Sequence, residues 1–273
     1  MTFEGNAPDQ HVAERNSLGG RSGTSQRIRL ISAFAVVVTA VAAYSWLTRS
    51  SDEWTTAVEN VSRIEVDVAA GEIHLIGTAD GSVQLDAHTD DGLVRSARLA
   101  HDVDDDTLQI EGTCSGNRFL PSFGCGTHVT LAVPDGVTVV ARTDGGSITS
   151  TGVVGRADLE SAAGGDVIVE GHSGVLRARS TAGDVTATGL NSEEAYLISS
   201  AGSVDVEAAS PPRSLDAESS AGPVTVGLPT GYSYHVEASG VGGETTVGTD
   251  TNYSSAYEVR AFSSAGPVTV TAG

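Results

Sequence analysis

An eight-residue phrase, SSAGPVTV, occurs twice, at 219–226 and at 263–270. Looser copies read STAGDVTA from Ser180, SSAGSVDV from Ser199 and SAAGGDVIV from Ser161. Self-similarity at a fixed period marks a stack of short supersecondary units, and it constrains architecture before any residue is asked about chemistry. Taking the Gly of each copy as zero, the anchors are Gly146, Gly165, Gly183, Gly202, Gly222, Gly243 and Gly266, a period of 18 to 23 residues.

Two and four residues after the Gly the side chains are mostly apolar, as at Val167/Val169, Val204/Val206 and Val268/Val270. The residue between them is usually polar, as at Thr186, Asp205, Thr225, Thr246 and Thr269. This alternation predicts a strand with one buried face. A second alternating run precedes the Gly at minus seven, five and three: Leu176/Ala178/Ser180, Ala195/Leu197/Ser199, Leu215/Ala217/Ser219 and Val259/Ala261/Ser263. The copy at Gly165 fits only when counted from Gly164, so one extra residue is expected at that corner.

Each unit therefore reads as strand, Gly corner, strand and variable connection. The corner Gly is expected to take a backbone conformation closed to other residues, with the Ser inward and bonded to corner backbone or to other hydroxyls. Such a unit cannot bury its apolar side alone, so stacked units share one thin core. The expected fold is all-β, a β-solenoid of roughly 20-residue repeats over 61–273, with 61–135 a divergent start. A hairpin around Asp104-Asp105-Asp106 and two strands split at Pro134-Asp135-Gly136 are expected there. Tyr232, Tyr234, Tyr253 and Tyr257 are expected to cap or thicken the last coils.

Ahead of the repeats, Leu30 to Leu47 carries no charge over 18 residues. That is close to the length that spans a bilayer. A single transmembrane helix is expected at 27–48, after a disordered tail at 1–26 and before a linker at 49–60. The alternative is a cleaved signal peptide, with small residues at Ala40, Ala42 and Ala43, but the preceding polar stretch is long for one. Arg27 and Arg29 before the span orient the tail to the cytoplasm and the repeats outside the cell membrane.

The net charge is −20, and the chain has no lysine. Five of its 15 Arg precede Ser50, so the remainder carries about −22. Such a surface argues against nucleic acid as a partner. The missing lysine excludes P-loop, Schiff-base and pyridoxal-phosphate chemistry. Cys114 and Cys125, the only cysteines, are expected to form a disulfide in an exported domain. Only His128 follows nearby, and a zinc site wants more ligands.

The run from Cys125 through VTLAVPDGVTVVA, followed by copies of S-[ST]-A-G-[DSP]-V-x-[VA], resembles the "putative adhesin" family of bacterial envelope proteins. The resemblance covers about residues 60–273 and implies an extracytoplasmic β-solenoid of unassigned function, with no catalytic residues to carry over.

Other motifs fall short of a site. Asp102, Asp104 and Asp106 open like a calcium loop, but Thr107 and Thr113 stand where the EF-hand needs Gly and Glu. Gly171-His172-Ser173-Gly174 lacks the final Gly of a nucleophile elbow. The recurrent serines bring no His with them. No catalytic, cofactor or metal residue is expected, and no enzyme. The expected role is a membrane-anchored interaction scaffold with an unidentified envelope or surface partner and self-association as a further property. The alternatives are an envelope-stress or signalling accessory and a polysaccharide-active β-helix enzyme.

Overall fold

The computed structural model describes residues 51–92, 95–116 and 124–273. The expected tail and transmembrane helix lie outside these residues. Among the described residues every long regular element is a β-strand, and no helix is long and apolar enough to cross a membrane.

The divergent start supplies β1 (Ser51–Glu59), β2 (Arg63–Val68), β3 (Ile73–Thr78), β4 (Ser82–Asp90), β5 (Arg95–Asp104), β6 (Thr107–Gly116) and β7 (Gly126–Pro134). The regular coils follow as strand pairs. They are β8 (Thr138–Thr143) with β9 (Ile148–Thr151), β10 (Ala157–Ser161) with β11 (Val167–Glu170), and β12 (Val175–Ser180) with β13 (Val185–Leu190). Next come β14 (Glu194–Ser199) with β15 (Val204–Ala208), and β16 (Ser214–Ser219) with β17 (Val224–Leu228). The last are β18 (His235–Gly240) with β19 (Thr245–Gly248), and β20 (Glu258–Ser263) with β21 (Val268–Ala272).

Each coil places one strand in each of two sheets. The first sheet has eleven strands in the order β1-β4-β7-β3-β9-β11-β13-β15-β17-β21-β19. The second has ten, in the order β18-β20-β16-β14-β12-β10-β8-β2-β6-β5. Pairing is parallel from β3 and β2 onward and antiparallel only where β1, β4 and β7 meet and where β5 meets β6. The alternating pattern sets which side chains turn inward. Val167, Val169, Leu176, Ala178, Val185 and Ala187 are all fully buried, and burying each Val or Leu contributes about 1.5–3 kcal/mol.

In the second sheet large and small core residues alternate between neighbouring coils from β10 to β16. Leu176 lies beside Ala157 and Ala195, while Ala178 lies beside Leu159 and Leu197. Leu215 and Ala217 continue the checkerboard. Each Leu of these strands thus lies beside an Ala of the next, so that bulk is shared between coils. Larger buried residues such as Ile64, Ile73, Leu108 and Leu131 stand in the divergent coils.

One expectation changes. Residues 49–60, read as a linker, contain β1, which pairs with β4 from Ser51↔Asp90 to Glu59↔Ser82. The free edge of β4 accepts the strand, and Val58 packs against the core. β20 and β21 are inserted between the β16/β17 coil and the β18/β19 coil, so β21 is flanked on both sides and β18/β19 is outermost. The same inversion occurs at the other end, where β6 and β7 lie outside β2 and β3.

Candidate functional site

The recurrent serines hold the corner together. Ser180, Ser199, Ser219 and Ser263 each accept a hydrogen bond from the N–H of the Gly three residues on, at 2.8 Å. Each hydroxyl then donates to the Gly carbonyl of the preceding coil in the stack: Gly165, Gly183, Gly202 and Gly222 respectively. Ser161 donates likewise to Gly146. These hydroxyls are spent on corner backbone.

The glycines themselves are required by proximity. A Cβ on Gly183, Gly202, Gly222 or Gly266 would lie 2.3–2.4 Å from the carbonyl oxygen of the Gly in the adjacent coil. On Gly146 or Gly165 the distance would be 1.7 Å, and on Gly243 a Cβ would meet the Pro267 nitrogen at 2.4 Å. Of the seven repeat glycines only Gly146 takes a φ in the region closed to other residues. The expected backbone explanation is therefore replaced by a steric one: successive coils approach too closely at this corner for any side chain. The extra residue is Gly164, at φ 93 and facing open space.

With the conserved-looking positions of the repeat committed to the stack, the outward positions differ between the sheets. Among the described residues no strand of the first sheet carries an Arg. Its outward row reads Thr130, His74, Thr149, Ile168, Thr186, Asp205, Thr225, Thr269 and Thr246 in spatial order. The second sheet carries Arg63, Arg95, Arg98, Arg142, Arg177, Arg179 and Arg260 among its acids. Arg177 lies over the Tyr196 ring, 5.1 Å from its centroid. Arg260 meets Glu258 at 2.7 Å and Glu237 at 3.3 Å, tying β20 to β18. These carboxylates, Glu258 foremost, hold the Arg260 guanidinium in its charged form. Burial raises the Asp216 carboxyl, against the pull of Arg260.

A third feature sits on the first sheet near the divergent end. Antiparallel pairing of β4 with β7 sets His88 directly opposite His128, and Asp90 opposite Gly126. Asp90 stands between the two rings, with Oδ1 3.4 Å from His88 Nε2 and Oδ2 3.5 Å from His128 Nε2. Glu72 Oε2 lies 3.6 Å from His128 Nδ1 and 3.5 Å from His74 Nε2. Glu72, Asp90 and His128 line a hollow of about 450 Å³ walled by Gly71, Cys125, Gly146 and Ser147. Cys125 is bonded to Cys114, as expected, with Cα atoms 6.2 Å apart.

The sequence that folds in this way matches a known family model. The model of the Toastrack DUF4097 family covers residues 61–272. The chain belongs to that family.

Solved structures similar to this Toastrack domain carry low identity. A Bacteroides fragilis NCTC 9343 protein described as a putative adhesin is 18% identical, covering 82% of this chain and 97% of its own, with a TM-score of 0.48. A putative cell adhesion protein from Clostridium sporogenes ATCC 15579 is 13% identical over 82% of this chain and 100% of its own, with a TM-score of 0.38. A putative lipid binding protein from Parabacteroides distasonis ATCC 8503 is 11% identical over 81% and 96%, with a TM-score of 0.38. No match is found among curated proteins.

Within the Toastrack frame the remaining sequence motifs find their places. Asp104 and Asp106 flank the β5–β6 turn, with Asp105 at φ 55, and Asp106 bonds the Ser62 hydroxyl. His172 is fully buried in the connection between β11 and β12, its ring nitrogens without a hydrogen bond of normal geometry. Burial lowers its pKa, partly offset by nearby backbone of Val175 and Gly155. Tyr234 is buried and donates to the Pro229 carbonyl at 2.7 Å, with Tyr232 and Tyr257 packed around it. Tyr253 instead is exposed and packs edge-on to His235. The His74, His88 and His128 cluster escaped sequence reasoning, because β4 and β7 are joined through a hairpin in the other sheet.

Proposed function

We propose that this Toastrack protein is a non-enzymatic envelope protein, tethered by its N-terminal segment to the cell membrane, whose β-stack outside the cell binds an envelope or surface partner. The reading is supported most by the asymmetry of the two faces. The repeat spends its recurrent Ser, Gly and Val on the stack, and the outward positions differ between the sheets, mostly Thr and without Arg on one and mixed Arg and acid on the other. Family membership agrees with a role outside catalysis. Self-association through the edges of β18 and β19, outermost among the described residues, belongs to the same reading, because an unpaired strand edge is a template for another strand.

The test is capture from the native envelope, comparing the full chain with two sets of face variants. Arg177→Glu with Arg179→Glu alters the second sheet, and Thr186→Arg with Thr225→Arg alters the first. Loss of one captured partner with one set alone supports the reading. Equal capture by both sets and the parent, or turnover of an envelope polymer by the purified chain, sinks it.

A further inference from the structure

We infer that His88, His128 and Asp90 form a binding site for a divalent first-row transition metal of the zinc class. The inference is independent of the scaffold reading.

The donor set comes first. Imidazole nitrogens with one carboxylate suit zinc, copper or nickel, whereas calcium and magnesium prefer all-oxygen shells. Spacing is the second argument. Arms of about 2.0–2.1 Å at a tetrahedral metal put neighbouring donor atoms about 3.3–3.5 Å apart. Asp90 stands 3.4 Å from His88 Nε2 and 3.5 Å from His128 Nε2. These contacts are long for hydrogen bonds and have the length of donor–donor edges around such an ion, but they use different oxygens of Asp90, so one oxygen must turn to face both rings.

The outer contacts fit as well. With Nε2 of His128 toward the metal, Nδ1 faces Glu72 at 3.6 Å. At 3.6 Å this contact is beyond hydrogen-bond length; once closed, a carboxylate on the far nitrogen of a ligating His fixes its tautomer and orientation, an arrangement usual around bound metals. His74 lies beyond Glu72 and outside the trio.

Closure requires a small movement. Among the described residues no three donors yet converge on one point, and the two rings are 6.4 Å apart between centroids. Two imidazoles sharing a tetrahedral ion through Nε2 would be about 5 Å apart. The His88, His128 and Asp90 side chains are 43%, 42% and 41% exposed, so packing does not oppose that shift. The strands beneath them are paired and the Cys114–Cys125 bond anchors the end of β7, so the backbone frame is fixed. The surrounding sheet carries no Arg to repel a cation. Three protein donors leave a tetrahedral ion one position open, to water or to a donor from a partner.

The test uses the full chain in detergent, without a histidine tag, stripped with chelator and titrated with cobalt(II) and with zinc(II). One equivalent of cobalt should bind with the visible bands of a tetrahedral site, and zinc should displace it. His88→Gln, His128→Gln and Asp90→Asn should each weaken binding at least tenfold. Glu72→Gln should weaken it about tenfold, as outer-sphere partners do, and His74→Gln should leave it within twofold. Melting curves without metal show whether each variant is folded. Binding equal in the parent and a His88→Gln/His128→Gln double variant would overturn the site, and so would a loss with His74→Gln as large as with His88→Gln.

Discussion

The Ser263 hydroxyl donates to the Gly222 carbonyl at 2.7 Å across 41 residues of sequence. The equivalent bonds earlier in the stack span 15 to 17 residues. The difference is the length of the β18/β19 coil, which the chain forms first and the stack places last. Ser263→Ala removes this donor and strands the Gly266 N–H, at a cost of about 1–3 kcal/mol. Ser199→Ala should cost the same within error in urea unfolding. A near-neutral Ser263→Ala alone would show that the long-range bond is absent in solution.

The corner glycines should divide sharply from the open ones. A Cβ on Gly202 meets the Gly183 carbonyl at 2.3 Å, a backbone atom that cannot swing aside. Gly202→Ala should therefore destabilise by at least about 3 kcal/mol, at the severe end of overpacking. Gly81 has nothing within 4 Å and no positive φ, so Gly81→Ala should be neutral or stabilise by up to about 1 kcal/mol. Thermal melts of the two variants side by side give the comparison, and similar midpoints would contradict the close approach.

His172 should make stability depend on pH. Burial lowers its folded pKa beneath the ordinary value near 6.5, so the folded imidazole resists a proton that the unfolded one accepts. Stability from this group is full above about pH 6.5 and falls as pH drops toward the lowered folded value, by at most about 1.4 kcal/mol per pH unit. His172→Leu should flatten the slope between about pH 5.5 and 7. Urea midpoints across that window measure it, and an unchanged slope in the variant would assign the dependence elsewhere.

Hydrogen exchange should follow spatial order instead of chain order. β20 and β21 are flanked on both sides, while β18 and β19 pair on one side only. Amides of Val259–Ala261 and Val268–Val270 should exchange as slowly as those of β16 and β17, and those of β18 and β19 faster, as expected of elements with fewer contacts. Faster exchange in β21 than in β19 would mean that the inserted coil is misplaced.

What the sequence made legible was local. Alternation about each Gly marked β10 to β17 and their inward faces, and Ser180, Ser199, Ser219 and Ser263 were rightly turned to the corner backbone. The reason for the Gly was misread, because coil-to-coil distance is not written in a single repeat. β1 was missed since its partner β4 is an edge that only the assembled sheet offers. The checkerboard of Leu176, Ala178, Ala195 and Leu197 was present in the letters, but it means something only in register. The His88–His128 pair depends on an antiparallel pairing across 40 residues, which no periodicity encodes.

The inverted order of the last two coils has a consequence for biosynthesis. A chain emerging from N- to C-terminus exposes β18 and β19 before the strands against which they lie. Growth of the stack can follow translation or export coil by coil as far as β16 and β17, and must then pause. The outermost coil, about thirty residues of chain, has no seat until β20 and β21 pair with β16 and β17. Completion of the fold is therefore a closing step rather than a last addition, and an elongating chain carries no finished end.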